Sequence, residues 1–425
     1  MKPVMLRGES PETLLDRFGK RPGLGRAAEM LARLGIPDKK SEIYRYFDMD
    51  TLMQREWEVA DVAATDDIEA SASIVVTDGR ITAMPEGLEM EIGCSDMADI
   101  ATDHFDPLYY LGHLMSENTI LLRIKKDTDL RIVHRFTTPE VLLAYRIAIY
   151  VDANVRVSLL ESYEGEGAHG SLILNGYDLF AAADTRVTLI KSQTVEREEY
   201  VCVSSHRFKI DRNAEADMRS FDYGSGSGLQ TIHTQLHEHS SIDLSHLLYI
   251  SGAARRGTVS KTVHIGRHSQ SRQEAKSILQ DNARGIFDAI IKVEHSGKYT
   301  RAHQNSKAIL LNKGAYMASK PQLEIYIDDL EASHGSTTGR LDERQLFYLR
   351  SRGIAHSESK KMLIQAFANE MIDTIDNTAV KEGLHADFEK AYYGRTHVEC
   401  METCHGCEEV ILNSSDSGRI RNDKD

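Results

Sequence analysis

Between about residues 131 and 330 the chain offers short β-rich runs and almost nothing between them long enough to form a helix. VRVSLLES (155–162), RVTLIKS (186–192), YVCVSS (200–205), LQTIHTQLHEH (229–239) and FDAIIKVE (287–294) recur without the ten-residue helical pattern that βαβ units need. That excludes a doubly wound α/β fold here and leaves two mainly β solutions, a sandwich or a coil of parallel strands. The turns are made by Gly, Asn, Asp and Ser, with only 8 prolines in the whole chain. No two of these runs are separated by just an Asn-Gly or Asp-Gly pair, the strongest short hairpin signal, and the spacing is irregular, which favours the coil.

The flanks read differently. GRAAEMLARL (25–34) places Ala27, Ala28, Met30, Leu31 and Leu34 at helical spacing and is stopped by Gly35 and Pro37. DPLYYLGHLM (106–115) reads as a second helix, whereas SIVVTDG and GRITAMPEG are strand-like pieces cut by Gly and Pro. After about 340 the period turns helical again. LDERQLFYLRSRG (341–353) is followed by an element over about 357–375, with a stripe of Met362, Leu363, Ala366, Phe367, Met371, Ile372 and Ile375, and by a third over about 379–392. The tail from 411 is polar and small and is expected to be disordered.

With 51 basic against 65 acidic side chains the net charge is −14, which argues against nucleic acid as a partner. The N-terminal MKPVMLRGES lacks the apolar core of a secretory signal, and no run of about 18 apolar residues exists to cross a membrane. Five cysteines, with Cys94 and Cys202 isolated, are too sparse for a disulfide framework. The expected location is therefore a reducing compartment, by default the cytoplasm.

Chemical motifs are few. There is no GxxxxGK[ST]; Gly224, Gly226 and Gly228 in YGSGSGL lack dinucleotide-loop spacing and read as a flexible turn between strands. His233, His237 and His239 share parity with Gln235 and would face one way on a single strand, open to a metal, although a solvated outer face is the preferred reading. Cys400, Cys404 and Cys407 form CxxxCxxC, the spacing of a radical-SAM cluster loop. Such enzymes need a barrel after the loop, and only 18 residues follow Cys407. A tail that binds zinc or iron is one remaining reading, and free thiols the preferred one. No triad, nucleophile elbow or paired-carboxylate signature stands out.

The stretch from 259 to 373 is more specific. KPQLEIYI (320–327), SHG (333–335), the run 338–341 and LFYLRSRGI (346–354), in that order, resemble the SufB/SufD family of iron–sulfur cluster assembly proteins, the SufD branch in particular. LGIPDKKSEIYRY (34–46) and MPEGL (84–88) carry the resemblance toward the N-terminus.

The resemblance implies a right-handed parallel β-helix over 131–340. A mixed, largely helical region (1–130) would precede it, and a C-terminal helical region with a flexible cysteine-containing tail (341–425) would follow. It implies a non-catalytic scaffold that pairs with SufB and docks the ABC-type ATPase SufC through its C-terminal helices, within 341–375. No tightly bound cofactor is implied, only transient iron or an iron–sulfur cluster at the interface with SufB. His334 matches the histidine proposed to help hold that nascent cluster; the alternative is that it fills a turn beside Gly335. Family members commonly have Cys two residues earlier, where this chain has Ala332, so no thiolate comes from that position. Whether the isolated chain forms a homodimer is left open. The competing class is a polysaccharide-active β-helix enzyme, disfavoured because such enzymes are mostly secreted.

Overall fold

From Thr119 onward the chain passes back and forth between two sheets, and strands that are neighbours in sequence do not pair with each other. Arg156–Glu164 runs parallel to Thr128–Arg135 and Arg186–Thr194 in one sheet, while Arg146–Val151 runs parallel to Thr119–Ile124 and Tyr177–Ala181 in the other. The chain thereby winds as a parallel β-solenoid of about eight turns with helices at its ends, with 48% of residues in strands and 22% in helices. This computed structural model describes residues 3–18, 24–38, 41–62, 68–93, 106–116 and 119–394.

Alternation along each strand decides what the coil encloses. Val157, Val187, Ala216, Ile242, Ser271, Ala302 and Ala332 are stacked in one column, each the register partner of the next. In the N-terminal turns the inward positions are aliphatic, Val157, Leu159, Val187, Leu189 and Met218 among them. Full burial of each such side chain contributes about 1.5–3 kcal/mol. Further along, the inward positions become small and polar, with Thr258, Ser260, Thr262, Ser271 and Gln273 all buried.

The corners explain how the coil turns without hairpins. Asn154, Asp184, Asn213, His239, His268 and Tyr299 each have φ between 56° and 63°. The N–H of Asn154, Asp184 and Asn213 donates to the carbonyl of Ala183, Arg212 and Glu238 in the next turn, at 3.1, 3.0 and 3.0 Å. One left-handed residue thus bends the chain while the ladder continues through the bend. Asn and Asp tolerate that conformation best. Asn175-Gly176 is no hairpin, since Leu172–Asn175 and Tyr177–Ala181 do not pair with each other but both run parallel to Val201–Ile210. Asp78-Gly79, with φ of 44° and 80°, does join Ile74–Thr77 to Arg80–Met84 as an antiparallel pair.

Among the described residues four α-helices precede the solenoid: α1 (Pro11–Phe18), α2 (Gly25–Leu34), α3 (Met49–Gln54) and α4 (Pro107–Met115). Leu31, Leu111 and Leu114 share a core with Leu142, Leu174, Val203 and Leu229 on the outer face of one sheet. Asp106 caps α4 by accepting from the N–H of Leu108 (2.9 Å) and Tyr109 (3.3 Å), and Pro107 supplies a preset first residue. Beneath α4, Arg146 pairs with Asp178 at 2.7 Å, and the guanidiniums of Arg146 and Arg207 lie 4.8 and 4.1 Å from the Tyr109 ring centroid.

After the last strand come α5 (Glu343–Ser351) and α6 (His356–Ile372). A second compact unit begins at Ile372 and contains α7 (Thr378–Tyr393). Within that unit Asn377 caps α7 through Val380 N–H at 3.1 Å, Leu384 and Phe388 are buried, and His385 lies 3.0 Å from Asp373.

Candidate functional site

Among the described residues the solenoid ends with two unpaired edges. Tyr316–Ile325 pairs there only with Arg284–Val293, and Leu330–Gly339 only with Thr300–Leu310. Pro321 fits an edge strand, because a proline has no N–H to donate to a further strand. The side chains there are uncovered: Ile325 and Tyr326 are 41% and 50% exposed. An open edge of this length is a ready template for another chain.

His334 stands in the middle of the last strand, not in a turn. Its register partner is Gln304 and that of Ala332 is Ala302, both inward-facing and buried, so Ala332 and His334 point to the inner side of the terminal turn. His334 Nδ1 lies 3.2 Å from the Pro321 carbonyl on the opposite strand, and Ser336 donates to Ser319 at 2.8 Å. The carbonyl accepts from Nδ1–H, which makes Nε2 the lone-pair nitrogen, with no protein partner among the described residues. Such an imidazole can ligate a soft or borderline metal. It stands alone, since the described residues contain no cluster of three or more His, Cys, Asp or Glu placed to hold a metal. A site there needs ligands beyond those that the described residues place beside His334. Cys400, Cys404 and Cys407 lie outside the described residues.

The histidine-rich run resolves differently from its expectation. The strand Gly228–Leu236 stops before His237, and His239 occupies a corner, so the three imidazoles share no strand face. His233 is buried at 1% exposure, which also overturns a solvated face. The YGSGSGL glycines form a tight corner between strands Glu215–Gly224 and Gly228–Leu236. A Cβ on Gly224, whose φ is 112°, would collide with the Val195 carbonyl.

Charged groups inside the coil were not anticipated. His134 Nε2 is 3.1 Å from Glu161, with Tyr145 and Tyr177 hydroxyls 2.7 and 2.9 Å from the same ring. One turn on, Lys191 and Arg256 hold Asp222 at 3.3 and 2.7 Å. Burial works against the carboxylates of Glu161 and Asp222, but the neighbouring cations outweigh it and keep both pKa values below the ordinary range. Burial pushes the nearby Cys202 thiol up, so it stays protonated and unreactive. The signal was in the strands: Glu161 follows Val157 and Leu159, and Lys191 follows Val187 and Leu189, at the two-residue spacing of one face.

On the helices after the solenoid, Asp342 caps α5 and Leu346 is buried, while the adjacent Phe347 and Tyr348 are 72% and 57% exposed. Two large rings therefore face water on one short helix.

The profile for the SUF system FeS cluster assembly family, SufBD core domain, matches residues 134–367, more than half of the chain. The chain belongs to the SufBD family. It is 47% identical to iron–sulfur cluster assembly protein SufD of Escherichia coli over 72 residues, 17% of either chain, so that match spans about a sixth of the relative's length. An iron–sulfur cluster assembly SufBD family protein of Synechocystis is 25% identical over 424 residues, 88% of this chain and 90% of its own. A SufBD family protein of Mycobacterium leprae is 44% identical over 80 residues, 19% and 20% of the two chains. The SufBD core match covers the coil from residue 134 onward, both open edges with His334, α5 and most of α6. No helix among the described residues is long and apolar enough to cross a membrane.

Proposed function

We propose that this SufBD-family chain is a non-catalytic scaffold subunit for iron–sulfur cluster assembly, acting with SufB- and SufC-type partners in the cytoplasm. The terminal turn carries the reading: two unpaired edges flank an imidazole with one free nitrogen. A SufB-type chain pairs along those edges and supplies the remaining ligands, so that iron or a nascent cluster is held as cargo between subunits. His334 is this chain's contribution, and Ala332 adds no sulfur. The SufC-type ATPase docks on the helices after the solenoid, through the exposed Phe347 and Tyr348. Movement delivered there gives a scaffold without a phosphate loop access to the energy of ATP.

Co-expression with the two partners tests the reading. His334→Ala leaves the complex assembled but lowers maturation of cluster-dependent enzymes in cells; unchanged maturation removes His334 from the cluster. Deleting 341–392 abolishes capture of the ATPase, and retained capture moves the docking surface elsewhere. Turnover of a polysaccharide by the isolated chain would contradict a scaffold role.

A further inference from the structure

Arg45, Arg255 and Arg284 line one cavity of about 100 Å3 together with Tyr46, Gly285 and Tyr316. Arg255 and Arg284 are register partners on adjacent parallel strands, and Tyr316 is the partner of Arg284 on the next. Like charges directly opposite each other on neighbouring strands destabilise a sheet. In a chain with 65 acidic residues, none of the three arginines lies within ion-pair distance of a carboxylate among the described residues. The acids in this region are engaged: Lys320 holds Glu42 at 2.6 Å and Asp288 at 3.8 Å. Arg45 is the least of the influences that lower the Glu42 pKa, after the hydrogen bond and charge of Lys320.

The arginines are nevertheless held in place. Arg45 lies 5.8 Å from the Tyr46 ring centroid and Arg284 5.8 Å from that of Tyr316, and the two rings are 6.4 Å apart. Cation–ring contacts at exposed sites contribute only about 0.5–1 kcal/mol each. They position the guanidiniums without neutralising them.

We propose that this cavity binds a small oxyanion of the phosphate class. Guanidinium forks match tetrahedral oxyanions with paired N–H bonds, and three unneutralised ones supply the charge. The size agrees, since a cavity of about 100 Å3 has room for a phosphoryl group between the guanidiniums. The bound anion is either free phosphate or the phosphate end of a larger molecule whose remainder lies outside against the tyrosines.

The test titrates the full chain with inorganic phosphate and, separately, with AMP, following the thermal midpoint at ionic strength matched with chloride. Saturable stabilisation by phosphate supports the site, and binding of AMP at least tenfold tighter than phosphate assigns it to a larger ligand. Arg255→Gln combined with Arg284→Gln weakens binding at least tenfold without lowering the midpoint in chloride. The corresponding double Lys variant, which keeps charge but loses the forks, recovers only part of the affinity. A response to phosphate no larger than to chloride overturns the proposal, as does saturable binding that survives in the Gln variant. So does binding of a polyglutamate peptide that phosphate fails to displace.

Discussion

Lys276 reaches out from the solenoid and donates to the carbonyl oxygen of Phe367 in α6 at 3.0 Å, across 91 residues of sequence. Its ammonium also pairs with Glu370 and lies 4.6 Å from the Phe367 ring centroid. The Lys276 side chain is 4% exposed and that of Glu370 64%, so the lysine is the buried partner. Burial lowers the Lys276 pKa, with Glu370 opposing that effect. A cation near the C-terminal end of a helix complements its unpaired carbonyls and dipole. This contact fixes α6 against the coil.

Lys276→Met keeps the aliphatic stem and removes the charge. Loss of a charged hydrogen bond at a buried position costs roughly 1–3 kcal/mol. Hydrogen exchange should then speed up at amides of α6 while the solenoid strands keep their protection. Equal protection in α6 would show that the lysine is not its fastening.

Glu161 and His134 form a buried pair, and breaking such a pair from one side costs more than replacing both. Glu161→Ala is expected to lower stability by about 3–5 kcal/mol, read by denaturant unfolding. His134→Phe with Glu161→Leu is expected to recover most of that loss, because no buried charge is left alone. A double variant as unstable as the single would assign the pair a direct stabilising role.

These interior charges also mark where the sequence was hard to read. Helices such as 25–34 and 106–115 were legible because their apolar spacing and stop signals are local, and the structure places them at Gly25–Leu34 and Pro107–Met115. The coil was legible only as strands without helices between them. Its winding depends on single left-handed corners at Asn154, Asp184 and Asn213, which carry no hairpin signature. α1 and α3 are short, with only Leu14 buried in the first and Met49 and Met53 in the second, too few apolar positions to show a period. His334 was recognisable by resemblance to a family, but its inward direction depends on register with Gln304, which only pairing 30 residues back in the chain defines. The Arg255 and Arg284 cavity was invisible for the same reason.

Acid should weaken the coil by a route that can be assigned to residues. Burial lowers the pKa of His206 and His264 to about 3 and that of His246 to about 4. The unfolded chain takes up these protons near pH 6.5 while the folded chain does not. Their stability is therefore complete above about pH 6.5 and is lost as pH falls toward 3–4. Between pH 7 and 5 each contributes a loss of about 2 kcal/mol. His264 lies 2.8 Å from both Ser269 and Ser271, so His264→Gln preserves polar partners and should flatten the stability profile between pH 6.5 and 4. An unchanged slope would mean that His264 is protonated in the folded chain.

The central claim is that this chain serves as a scaffold whose C-terminal helices carry an ATPase partner. The direct measurement is native mass spectrometry of the chain co-expressed with SufB- and SufC-type partners, comparing the unaltered protein with Phe347→Asp combined with Tyr348→Asp. The account predicts one assembly containing all three proteins, from which the paired substitution removes the ATPase while leaving the SufB-type subunit bound. An unaltered chain that flies alone, or an ATPase retained at full occupancy by the substituted one, would contradict it.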